Sequence, residues 1–209
     1  MSAAAPPPAS VPPEAIATLR SCDPVLAALI DRIGPIEPAH EPDLWWSLVD
    51  AIVSQQLSIK AAATILGRVA ALAPEGRRPT PAEILASEDD VLRACGLSRA
   101  KVTYVKDLAT RWLDGSLEPE RLPGMPDEEV IEHLVRVKGI GKWTAEMVLM
   151  FTLRRPDVFP VDDLGIRVAV QEAYGLEERP GRAELEALGE RWRPWRSIAS
   201  FYLWRSRRV

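Results

Sequence analysis

The sequence predicts an all-α fold of about ten short helices, and three observations carry that reading. Apolar side chains recur at the three- and four-residue spacing of a helix face. Segment after segment opens on Asp, Ser or Thr and closes near Gly or Ser, and no segment alternates convincingly at the period of two that a half-buried strand requires. With 209 residues and 47% apolar content the chain can bury a sizeable core, arranged as two helical lobes.

The elements follow in order. The first thirteen residues, rich in Ala and Pro, are expected to be a disordered tail, so the folded region starts near residue 14. "DPVLAALIDRIG" supplies Asp23 as an N-cap, Pro24 at the first helical position and Gly34 as the stop. "EPDLWWSLVDAIVSQQLS" and "SIKAAATILGRVAALAP" read as two more helices, the second capped by Ser58, and "TPAEILAS", "SEDDVLRACG" and "SRAKVTYVKDLATRWLDG" each open on Thr or Ser. "MPDEEVIEHLVRV" leads into a glycine turn, and "AELEALGERWR" and "PWRSIASFYLWRSRR" finish the chain. One lobe is expected over about residues 43–155, including the stretch 134–151, and the other over about 14–42 plus 156–209.

Composition removes several function classes. Two cysteines, Cys22 and Cys95, and two histidines are too few for a disulfide framework, a four-cysteine cluster or a protein-ligated transition metal. No run is long and apolar enough to span a bilayer and the start lacks the order of a signal peptide, so a cytoplasmic protein is expected. The net charge of −4 argues mildly against nonspecific nucleic-acid binding, but its distribution is uneven. Six arginines and no acid lie from Arg191 onward, and Arg136, Lys138 and Lys142 surround the glycine turn. Such groups can equally be ordinary solvated helix faces.

In that turn an apolar stripe of Val130, Leu134 and Val137 stops at Gly139, and a new one with Thr144, Val148 and Phe151 starts after Gly141. Glycine permits positive φ and close backbone approach, Ile140 can plug the gap between the two helices, and a helix N-terminus suits a phosphate oxygen. The plain alternative is a helix connection with Gly as its cap. Some twenty residues on, "FPVDDLGIRVAV" places Asp162 or Asp163 at another helix N-terminus, where a carboxylate is ordinarily just an N-cap, though one held ionised and fixed in rotamer.

Together, "VKGIGKWTAEMVL", "DVFPVDDLGIRVAV", "AIVSQQLSIKAA", "GLSRAKVTYVKDLA", "RWRPWRS" and "YLW" resemble the helix-hairpin-helix DNA glycosylases, in particular the alkylation-repair branch of 3-methyladenine DNA glycosylase II, over roughly Leu44 to Trp204. The resemblance implies a two-lobed helical glycosylase fold. Its hairpin, here Gly139, Gly141, Lys142 and Thr144, would grip the DNA backbone, often with an alkali-metal ion held by main-chain carbonyls; no other cofactor or metal is implied. The gapless match of "DVF" and "LGIR" implies Asp163 as the catalytic carboxylate with Asp162 as helper or cap, and an alternative register anchored on Pro160 would choose Asp162. Trp143, Met147 and Trp204 would wall the base pocket, with Met147 where the family usually has tyrosine. Gln56, beside Leu57, would fill the gap left by an extruded base.

Bifunctional relatives carry a Schiff-base lysine where this chain has Trp143, and Lys142, one place off, would point about 100° away on a helix. A monofunctional, monomeric enzyme acting on duplex DNA with alkylated purines is implied. With only about forty residues ahead of the matching region, an extra N-terminal β-rich domain is not expected. The competing class is a non-catalytic helix-hairpin-helix module that binds damaged or structured DNA.

Overall fold

The computed structural model describes residues 11–207, and among them there are twelve α-helices, two short 3-10 turns and no strand. The chain divides into two compact units, one built from residues 1–40 and 149–209 and the other from 41–148.

The discontinuous unit holds α1 (Pro13–Cys22), α2 (Pro24–Ile33), α10 (Leu164–Tyr174), α11 (Arg182–Glu190) and α12 (Arg196–Ser206). Helix α1 departs from expectation, because it begins at Pro13, inside the expected tail. That proline occupies the first helical turn, where its missing N–H costs nothing, and Ala15 and Leu19 are fully buried. The rest of that tail, up to residue 10, lies outside the described residues. The core gathers Leu19, Leu26, Ile30, Ile166, Trp192, Tyr202 and Leu203, with α12 packed on α2 and α10. At its centre Asp23 is fully buried yet fully used: it caps α2 through the N–H groups of Val25 and Leu26 and accepts from Tyr174 Oη (2.6 Å) and Trp192 Nε1 (3.0 Å).

The continuous unit holds α3 (Leu44–Ser54), α4 (Ile59–Ala70), α5 (Pro81–Ala86), α6 (Asp89–Ala94), α7 (Arg99–Leu113) and α8 (Asp127–Leu134), and the unit boundary falls inside α9 (Lys142–Phe151). Helix α7 packs on α3, α5 and α6, burying Val102, Val105 and Leu108. Asp43, Ser58, Thr80 and Ser98 cap α3, α4, α5 and α7, each accepting a backbone N–H of the first turn. The cap of α6 is Glu88 rather than Ser87, which closes α5 instead.

Candidate active site

In the discontinuous unit, Pro160 to Asp163 turn into α10. Asp163 is the N-cap: its Oδ1 accepts from the Ile166 N–H at 2.7 Å, and its own carbonyl accepts from Arg167. The same oxygen accepts from the indole Nε1 of Trp204 at 2.9 Å. Two donors converging on one oxygen set the carboxylate's orientation. Trp204 is held in turn by aromatic neighbours, lying nearly parallel to Phe151 (centroids 6.0 Å, 22°) and tilted against Phe201 (6.1 Å, 43°).

Gly165 makes this approach feasible. A Cβ there would lie 2.9 Å from Asp163 Oδ1 and 3.2 Å from Trp204 Nε1. Glycine in a first helical turn otherwise costs about 0.5–1 kcal/mol relative to Ala, and that cost was the one signal in the sequence that could have exposed the residue.

Asp162 is placed differently. It is exposed and forms a two-oxygen ion pair with Arg182 Nη1 at 3.0 and 3.1 Å. Asp162 is therefore not the cap of α10, because the carboxylate of Asp163 already occupies that position.

In the continuous unit, the hairpin runs from α8 to α9. Gly139 adopts φ +83°, and a Cβ there would fall 2.2 Å from the Tyr104 ring, so glycine is required both for conformation and for space. Ile140 is buried as the plug. Gly141 has no such internal reason: its backbone is not left-handed, it is exposed, and a Cβ would meet no protein atom within 4 Å. What the bare backbone leaves open there is approach from outside.

Asp107 fixes the start of the turn by accepting from the Lys138 N–H (3.0 Å) and Arg111 Nε (2.9 Å). Burial pushes its carboxyl up, but these bonds and the two cations outweigh burial and hold it below its ordinary range. Lys142 is exposed and reaches Glu146 Oε1 at 3.7 Å. Thr144 is the least exposed of the four hairpin residues named above. The residue is 5% exposed, at the start of α9. Trp143 is 45% exposed, and Met147 lies one turn along α9, half-buried.

The α3–α4 turn carries Gln56 and Leu57. Gln56 has φ +58°, a left-handed conformation that costs a residue with a side chain roughly 1–2 kcal/mol. Leu57 is 38% and Ile59 83% exposed, an apolar pair flanking Ser58. Two residues not singled out from the sequence hold this turn. The Lys101 ammonium donates to the carbonyls of Val53 and Gln55, both at 2.7 Å, and Gln55 Nε2 donates to the Gly139 carbonyl at 2.7 Å. Burial lowers the pKa of Lys101. No local periodicity could have announced contacts 46 to 84 positions apart in the chain.

Comparison with known proteins agrees with this architecture. Residues 49–194 match the family described as HhH-GPD superfamily base excision DNA repair protein. Among curated proteins, DNA-3-methyladenine glycosylase 1 of Schizosaccharomyces pombe is 36% identical over 188 residues, covering 88% of this chain and 81% of that one. Escherichia coli DNA-3-methyladenine glycosylase 2 is 30% identical over 199 residues, 88% of this chain and 66% of that one. Among solved structures, the S. pombe 3-methyladenine DNA glycosylase Mag1 in complex with abasic DNA superposes with a TM-score of 0.85 at 34% identity, covering 94% of this chain and 97% of that one. The chain belongs to the HhH-GPD superfamily of base excision DNA repair proteins.

Proposed function

We propose that the protein is a monofunctional DNA glycosylase that extrudes alkylated purines, chiefly 3-methyladenine and also 7-methylguanine, from duplex DNA and hydrolyses their N-glycosidic bond. The observation that carries this reading is the fixed carboxylate of Asp163, clamped by the Ile166 N–H and the Trp204 indole in a chain whose relatives are named 3-methyladenine glycosylases.

In the chemistry that follows, the bond between C1′ and the base nitrogen breaks and its electron pair leaves with the base. Positive charge builds on the sugar, a preorganised anion stabilises it, and water adds to C1′ while its proton passes to the carboxylate or to solvent. An alkylated purine is already cationic and leaves readily, so one anion with no strong general acid suffices. Asp162, paired with Arg182, is a bystander in this scheme.

Gly141 and Lys142 offer a bare backbone and a cation to a DNA phosphate, Trp143 offers an indole face to an extruded cationic base, and Gln56 with Leu57 enters the vacated stack. The main-chain carbonyls of residues 137–141 fit a monovalent cation by donor type, being neutral oxygens with a second lone pair beyond the bonds they accept from Ile140, Gln55 and Ala145; such an ion would add positive charge beside a phosphate. Among the described residues no cluster of three or more His, Cys, Asp or Glu is arranged to hold a metal, and no helix is long and apolar enough to cross a membrane. The reading includes a monomer acting in the cytoplasm, with no strand cleavage because Trp143 occupies the lyase lysine's position.

The test is Asp163→Asn. Asparagine caps a helix about as well as aspartate, so folding and DNA affinity should persist while release of free base from methylated DNA falls by about a hundredfold or more. Near-normal excision by this variant would refute the assignment. Intact affinity with no excision by the unaltered protein would favour the non-catalytic alternative. Borohydride trapping should yield no covalent adduct.

A further inference from the structure

The left-handed Gln56 lies between two tethers that do not touch it. On its N-terminal side the carbonyls of Val53, in the last turn of α3, and of Gln55, its C-cap, are gathered by Lys101, whose positive charge also suits a helix C-terminus. From the same side the Gln55 amide reaches the Gly139 carbonyl, at the one hairpin residue with positive φ. On its C-terminal side the Leu57 N–H returns to the Ser54 carbonyl (3.2 Å) and Ser58 caps α4. A strained backbone persists only where its surroundings over-determine it, and here those surroundings are specific polar bonds rather than apolar packing.

We infer that Lys101 and Gln55 are positioning residues which brace the α3–α4 turn against the hairpin, so that Gln56 is presented to the duplex in register with the backbone-gripping glycines. This rests on the reading of Gln56 as the residue that enters the stack. Without the brace, Gln56 relaxes to the right-handed or extended backbone, and binding must first re-order it. The cost falls on DNA with a vacated stack and spares undamaged duplex, which needs only the hairpin.

The experiment compares binding to a duplex carrying a tetrahydrofuran abasic analogue with binding to the same duplex undamaged. Proteins are the full chain, Gln55→Ala, Lys101→Met, Gln56→Ala and the Gln55→Ala/Gln56→Ala pair, each checked for melting temperature. The expected result is a loss of about threefold to tenfold for Gln55→Ala and Lys101→Met on abasic DNA alone, the range of one net hydrogen bond. The pair should be no weaker than the worse single variant, because a wedge that is no longer aimed cannot be lost twice.

Additive losses, or equal losses on undamaged duplex, overturn the brace while leaving the wedge in place. An unchanged affinity in Gln56→Ala alone overturns the wedge, and the brace's purpose with it. A general loss of fold would lower the melting temperature without producing this non-additivity.

Discussion

The indole N–H of Trp204 and the Oδ1 of Asp163 are 2.9 Å apart, and the oxygen they share also closes the first turn of α10. The resemblance implies Trp204 as a wall of a base pocket; in the structure its ring is a donor that orients the carboxylate. Trp204→Phe keeps an aromatic ring against Phe151 and Phe201 but removes the donor. The expected outcome is a fall of about tenfold in single-turnover excision, near 1.4 kcal/mol, with little change in melting temperature.

Gly165→Ala separates helix propensity from geometry. Alanine should favour α10 by about 0.5–1 kcal/mol, yet its Cβ would press on both Asp163 and Trp204. Excision measured under single-turnover conditions should drop by about tenfold or more. An unchanged rate would show that the pair tolerates displacement.

The two adjacent acids should respond unequally. Asp162→Asn loses a solvent-exposed ion pair with Arg182, so melting temperature should hardly change and excision should stay near its original rate. A loss comparable to that of Asp163→Asn would restore Asp162 as the reacting group.

Gly139→Ala meets two penalties, a left-handed backbone and the Tyr104 ring at 2.2 Å. Urea denaturation should report a loss of about 2–4 kcal/mol. Adding Tyr104→Ala should recover only part of it, because the backbone strain remains.

Acid stability should depend on Asp23. Burial raises its carboxyl, but hydrogen bonds from Tyr174, Trp192 and the Leu26 N–H, with Arg191 nearby, outweigh burial and hold it below its ordinary value of 3.8. A carboxyl depressed in the folded state contributes stability that is present above the unfolded value, about pH 4, and is lost as pH falls through the folded value. Asp23→Asn should therefore lower stability by about 2–4 kcal/mol at neutral pH and flatten its decline below about pH 4. Urea titrations across that range check both.

Much of this fold was legible because helices announce themselves locally. Asp23 with Pro24, Ser58, Thr80 and Ser98 mark starts by chemistry confined to one turn, and each caps its predicted helix. Helix α1 was lost because Pro13 reads as a continuation of the tail, although proline is welcome at a first helical position. The Asp162–Asp163 pair was recognisable as a cap and the resemblance chose Asp163, but the Arg182 and Trp204 side chains that hold the two carboxylates lie 20 and 41 residues away, beyond the reach of local pattern. Lys101 and Gln55 were invisible for the same reason as Gly165's neighbours: their partners are set by tertiary packing, not by spacing.

Of the seven tryptophans, only Trp143 is exposed, so the red edge of the protein's intrinsic emission should come mainly from this single ring. Selective excitation at long wavelength then turns the protein into its own optical sensor. A nucleobase settling over that indole should quench or shift the signal on the timescale of extrusion, without a dye or a modified oligonucleotide.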